Sequence, residues 1–225
     1  MSSPGKRSYQ QRKRAEAAQA TRRRIVEAAV SMHTTIGPAR TSLSAVASKA
    51  GVSRPTLYRH FPDLPSLFMA CSAHGMAADP LPDPSAWTAV APPRERLLRG
   101  LADLYGYYRR NRGINAHMVR DTELIGLMSE AEEPPSVAAG PHPEARVLRL
   151  MAQMQPMMEA RNRMVAETLA APWREAGRAN KELESALAVV IRFDTWKTLA
   201  LDQGLDDDAA ARVGATMVEA LAGRA

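Results

Sequence analysis

Apolar residues recur at spacings of three and four along almost the whole chain, and no stretch alternates residue by residue as a half-buried strand would. From Thr21 onward, Ile25, Ala28, Ala29, Met32 and Ile36 fall on one helical face. "GPARTS" breaks that helix, with Gly37 and Pro38 as stop signals. Ser42 is placed to cap a short second helix, Leu43 to Ala50, which Gly51 ends. Ser53 is placed to cap a third, with Pro55 in its first turn, where a missing N–H costs nothing. Pro62 ends it near Phe61, and Asp63 caps a fourth helix running to about Ala78. "DPLPDPSAW" is a proline-rich connection. Longer helices follow over Pro93–Arg112, Asn115–Ala131, Glu144–Ala171, Lys181–Gln203 and Asp207–Ala222. The stretch Glu132–Pro143 predicts a mobile loop, and Pro156 predicts a kink or split. The expected fold class is all-α.

The segment "LSAVASKAGVSRPTLYRHF", Leu43 to Phe61, carries more information than the rest. Val46, Ala47 and Ala50 share one face of the first short helix, and Val52, Leu57 and Phe61 supply the apolar face of the next. Two helices crossing steeply need a small residue where they touch, which is Ala47. They also need a turn residue tolerant of positive φ, which is Gly51. This is helix-turn-helix spacing. A plain helical hairpin would satisfy it too, and the outward residues separate the two. With Val52, Leu57 and Phe61 inward, Arg54, Pro55, Thr56, Tyr58, Arg59 and His60 face out. Arginine can donate a fork to guanine in the major groove, and Pro and Thr can meet a thymine methyl. Tyr, His and Thr can donate to phosphate oxygens.

Charge changes the picture in the same direction. Residues 1–60 carry 12 Lys and Arg against two acids, Glu16 and Glu27, whereas the remainder carries 18 against 22. No carboxylate lies between Glu27 and Asp63 to repel a phosphate. A basic end on a mildly acidic body predicts a polyanionic partner for one part of the chain. Residues 1–20 read as a flexible basic arm in which helix sets in toward the end. Its first twelve residues fit a solvated tail as well as a DNA contact. Arg22, Arg23 and Arg24, next to the helix-turn-helix, are expected at phosphate or in the minor groove. Cys71 is the sole cysteine, so a disulfide within the chain is excluded and a reducing cytoplasm fits. The start lacks the apolar core of a signal peptide, and no run is long and apolar enough to span a membrane.

"TSLSAVASKAGVSRPTLYRHF" resembles the DNA-binding domain of the tetracycline-repressor (TetR) family of bacterial regulators, over roughly Arg24 to Phe68. The resemblance implies a two-fold homodimer on double-stranded DNA with a palindromic operator, the helix around Pro55–His60 entering the major groove. It places Arg54, Pro55 and Thr56 at base-contacting positions, Arg59 at a further recognition position, and Tyr58 and His60 at phosphates. Ser42 and Ser44 match contact positions at the start of the preceding helix. One departure stands out: Leu64 occupies a position where the family usually has lysine, which removes one phosphate contact. The implied organisation is an arm over residues 1–20, a DNA-binding domain over 21–68 and an effector-binding and dimerisation domain over 69–225. A weaker likeness covers "DTWKTLALDQGL".

The body from Met69 carries no catalytic constellation, phosphate loop, nucleophile elbow or HExxH, so an enzyme is not expected, nor a cofactor or metal. His117 and Asp121, four apart on a helix, could pair or bind a metal; a polar helix face or pocket lining is the plainer reading. Met118, Met128, Met151 and Met154 suit either ordinary core packing or a pocket that adapts to apolar ligands. The resemblance implies an unidentified small-molecule effector between these helices. Tyr105, Tyr108, Trp173, Phe193 and Trp196 would add aromatic walls, and Arg120 or Asp121 would recognise a polar group. Leu183, Leu187, Val190 and Ile191, then Val213, Met217 and Leu221, form apolar stripes at helical spacing. They fit a four-helix dimer interface, as the resemblance implies, or burial within one subunit.

The expected function is a DNA-binding transcriptional regulator, a repressor released by a small, largely apolar effector. An activator, a non-sensing DNA binder and an architectural protein share the motif and stay open as alternatives. A membrane-surface role is disfavoured, because the helix faces near the arm lack a broad apolar stripe.

Overall fold

The computed structural model describes residues 4–130 and 143–223, with side chains described for 8–122 and 147–223. The expected loop lies outside these residues up to position 142. The described elements are helical: α1 (Pro4–Thr35), α2 (Leu43–Lys49), α3 (Arg54–His60), α4 (Leu64–Ala78), α5 (Pro93–Arg110), α6 (Arg112–Glu130), α7 (Pro143–Glu175), α8 (Lys181–Val190), α9 (Phe193–Trp196) and α10 (Asp207–Ala220). A 3-10 turn spans Pro84–Trp87, and a π-helical turn spans Lys197–Asp202. No strand occurs among the described residues, and none of their helices is long and apolar enough to cross a membrane. Two compact units result, Met1–Ala78 with His117–Met151 and Asp79–Ala116 with Ala152–Ala225.

Three elements depart from the sequence expectation. The basic arm, expected to be mobile with helix only toward its end, is helical from Pro4. Helix nucleation is the costly step. The packed turns around Ile25 and Ala29 supply a nucleus, so the Ala-, Gln- and Arg-rich turns before it need only propagate. Arg12–Glu16 and Arg23–Glu27 pairs at i,i+4 add a little along the exposed surface. Helix α7 runs through Pro156, which lies exposed on it, without the split that was one of the two expected outcomes there. The third departure is the helix expected over Lys181–Gln203, which breaks after Val190. The Tyr105 hydroxyl donates to the Val190 carbonyl (2.8 Å) and the Tyr108 hydroxyl to the Ile191 carbonyl (2.6 Å). Two acceptors that a continuous helix would satisfy from within are thus taken by α5, and the chain turns extended at Arg192.

In the first unit, Ile25, Ala29, Val46, Leu57, Phe61 and Leu67 are sealed from solvent. They come from α1, α2, α3, the end of α3 and α4, so the four helices share one core. The Cys71 thiol sits against it, donating weakly to the Val26 carbonyl, and burial pushes it up to about 12. In the second unit, Trp87, Trp173, Trp196 and Tyr105 are buried. α10 crosses α5 at Gly214, where an added Cβ would lie 3.2 Å from Leu101 Cδ1. The Arg96 guanidinium, buried, donates to the carbonyls of Val90, Thr88 and Thr168.

His33, near the end of α1, is 6% exposed and tilts over Phe68 at 6.0 Å between ring centroids. Burial lowers its pKa to about 4, against an ordinary 6.5. The unfolded chain therefore binds more protons between these values, so stability is full above pH 6.5 and is lost as pH falls toward 4. The loss should be on the order of 3 kcal/mol. Urea midpoints measured from pH 7 to pH 4 should fall steeply for the native chain and much less for His33→Leu.

Candidate nucleic-acid interface

The turn between α2 and α3 is built as the residue types require. The Ser42 side chain accepts from the Ala45 N–H (3.2 Å), and the Ser53 side chain accepts from the Thr56 N–H (3.3 Å). Gly51 has φ +64, and a Cβ added there would meet nothing within 4 Å, so backbone conformation alone calls for glycine; the Val52 N–H closes the turn on the Ala47 carbonyl (3.0 Å). Leu57 and Phe61 anchor α3 in the core. As a result Arg54, Pro55, Tyr58 and Arg59 stand exposed on one short helix, with Tyr58 48% exposed. His60 is partly buried, and burial first, then the Arg59 and Arg22 cations, lowers its pKa.

Several expected contact residues also have work inside the fold. Arg54 Nη2 donates to Ser44 Oγ, which steadies the guanidinium across the turn. The Thr56 hydroxyl shares a hydrogen bond with Ser53 Oγ (2.9 Å), leaving its methyl as the outward part. Arg22 lies over the Phe61 ring (4.1 Å) and donates to the His60 carbonyl (2.9 Å), closing the end of α3. Nothing in the sequence signalled this pairing, because the two residues are 38 apart. Arg23 is shared with Glu27 (3.8 Å), and Arg24 is exposed. Leu64 is only 6% exposed and packs inward.

Residues 25–71 match the family model described as bacterial regulatory proteins, tetR family. The N-terminal unit carries a TetR DNA-binding domain. A chain with this domain is a DNA-binding transcriptional regulator. The fold as a whole is shared with solved TetR structures. A TetR-like transcriptional regulator from Rhodococcus sp. RHA1 superposes with a TM-score of 0.55 at 20% identity, covering 88% of this chain and 93% of that one. NalD, the secondary repressor of the MexAB-OprM multidrug efflux pump in Pseudomonas aeruginosa, gives 0.57 at 21%, covering 93% and 98%. No curated protein matches the chain in sequence.

The residues expected to line a pocket divide between the two units. Met118, Asp121 and Met151 belong to the first; Tyr105, Tyr108, Met154, Trp173, Phe193 and Trp196 belong to the second. Met128 lies outside the residues whose side chains are described. Asp121 is fully buried and accepts from Arg120 at 2.9 and 2.6 Å and from the Ala39 N–H at 3.4 Å, so both oxygens are engaged within the fold. It fastens α6 to the turn after α1. Its neighbour His117 meets Arg120 (3.1 Å), and among the described residues no group of three or more His, Cys, Asp or Glu could hold a metal. Tyr105, Trp173 and Trp196 are core residues.

The expected dimer stripe also divides. Leu183, Leu187, Val190 and Ile191 are at most 3% exposed, so they are filled by their own subunit and cannot reach a partner. Amphipathic spacing marks a buried face without saying what buries it. Val213, Met217 and Leu221 remain exposed, at 38, 49 and 39%, as does Val189 of α8, at 50%.

Two substitutions separate reading from scaffolding. Tyr58→Ala should abolish specific DNA binding in a mobility-shift assay while leaving the thermal midpoint unchanged. Arg22→Ala should instead cost about 1–2 kcal/mol in urea unfolding, since it removes a cation–π contact and a charge-assisted hydrogen bond.

Proposed function

We propose that this chain is a homodimeric repressor that occupies a palindromic operator and leaves it when a small, largely apolar effector binds. The observation that carries the reading is the outer face of α3. Arg54, Pro55, Tyr58 and Arg59 project from a helix whose opposite side is locked into the core, in a segment free of acids. Arg54 would read a base edge through its fork, Tyr58 and His60 would grip phosphates, and Ser42 and Ser44 would stand at the entry of α2. Arg23, Arg24 and the basic turns of α1 would replace the phosphate contact forgone at Leu64. Dimerisation would use the exposed stripe Val213, Met217 and Leu221 on α10, with Val189. A repressor role is supported by NalD, itself described as one.

Two recognition helices in a two-fold dimer must sit about one helical turn of DNA, roughly 34 Å, apart, or a multiple of it. A small shift of α4 on effector binding would break that spacing and cost many contacts at once. DNA and effector then weaken each other reciprocally.

Selection of bound sequences from a random DNA pool tests the reading directly. It should return an inverted repeat with half-sites about one or two helical turns apart. Enrichment without dyad symmetry would sink the dimeric operator. Arg54→Ala should relax preference at one base pair per half-site, at about 1–3 kcal/mol. Deleting residues 1–20 should weaken affinity and flatten the dependence of log K on log salt, by up to about 0.9 per lost phosphate contact.

A further inference from the structure

A chain of polar contacts joins α6 to the turn between α1 and α2. Asp121, fully buried, takes Arg120 on Oδ1 (2.9 and 2.6 Å) and the Ala39 N–H on Oδ2 (3.4 Å). The remaining arm of the Arg120 fork, Nη1, lies 3.1 Å from His117 Nδ1. Gly37 stands against both side chains. A Cβ added there would lie 2.6 Å from Arg120 Nη2 and 3.1 Å from His117 Cγ. Gly37 also has φ +94, so conformation and space both demand glycine. Its carbonyl accepts from the buried Thr41 hydroxyl (2.8 Å), one residue before Ser42 caps α2. All of these residues belong to the first unit.

The contact at 3.1 Å fixes a protonation state. A guanidinium has donors only, so His117 Nδ1 must be the acceptor. The ring is then neutral, with its proton on Nε2. A proton added at Nδ1 removes the acceptor and sets an imidazolium against a guanidinium. The charged side chains in this chain of contacts are Arg120 and Asp121, both on α6. The facing residues Gly37, Pro38 and Ala39 carry none, and Arg40 after them is exposed. Asp121 holds Arg120 with one oxygen and the Ala39 amide with the other, so a displaced Arg120 loosens the grip on the turn.

We propose that His117 is a proton-released latch. Neutral, it lets Arg120 and Asp121 hold the turn that leads into α2. Protonated, it drives Arg120 away and frees that turn. Imidazole is the side chain whose charge changes across the neutral range, so the latch answers to mild acid. The Ser42 cap follows the turn directly, and a freed turn lets the start of α2 shift. Ser44 on α2 then moves from under Arg54, which donates to it. DNA affinity falls as a result. That consequence rests on the DNA contacts proposed above, whereas the latch itself does not.

The test is amide hydrogen exchange on the full chain at about pH 7.5 and about pH 6, either side of neutrality, corrected for the intrinsic pH dependence of exchange. Protection at Ala39 should fall about tenfold relative to Ala29, which is sealed in the core, as one charge-assisted hydrogen bond is lost. The Ala29 reference absorbs any general loss of stability through His33. His117→Asn places an oxygen that does not titrate near the position of Nδ1, and should keep Ala39 protected at both pH values. His117→Leu removes the acceptor and should leave Ala39 weakly protected at both. A native chain whose Ala39 protection ignores pH, or a native-like pH response in either variant, overturns the latch. Anisotropy titration of the selected operator over the same range reads the consequence. Native affinity should weaken toward pH 6 and that of His117→Asn should not. Equal weakening in both overturns control of DNA binding by the latch. The exchange measurement needs no DNA, so it stands or falls apart from the operator reading.

Discussion

The burial of Phe61 is the constraint on which the exposed face of α3 depends. α3 is seven residues long, too short to hold its shape in water on its own. Leu57 fixes its middle, Phe61 fixes its end, and Arg22 covers the Phe61 ring while capping the last turn. Only then do the side chains between them share a face. The same arginine that charge counting assigns to a phosphate is what holds α3 in place, so its charge is already at work in the fold.

The second unit follows a parallel rule with polar groups. Tyr105 and Tyr108 take the carbonyls of Val190 and Ile191, and Trp196 Nε1 donates to Asp207 (2.8 Å), which also receives Arg109. The hydrogen bonds lost at the helix break are replaced by side chains from elements distant in sequence. The break brings Phe193 and Trp196 into the aromatic cluster around Tyr108.

Legibility in the sequence tracked the range of the forces. Ser42 and Ser53 accept from amides three residues on, and Gly51 serves a turn closed within five, so local chemistry alone identified them. The break after Val190 depends on tyrosines some 85 residues away, and no local signal marks it. The stripe through Leu183 and Leu187 was recognised as buried, but periodicity is the same whether the covering surface belongs to the same subunit or another. Asp121 had the right residue type for a ligand contact; the Ala39 amide that engages it is 82 residues distant.

The long α1 helix has a kinetic consequence. Its side chains from residue 8 to residue 20 are exposed, and they include Arg12, Lys13 and Arg14. Charges held out on a stiff rod are felt by a polyanion at about a Debye length, roughly 8 Å in physiological salt, beyond their own reach. On the proposed reading, such a rod speeds encounter and one-dimensional search along DNA more than it lengthens residence at any one site. The reading helix would then decide where the molecule stays, and the rod how quickly it gets there.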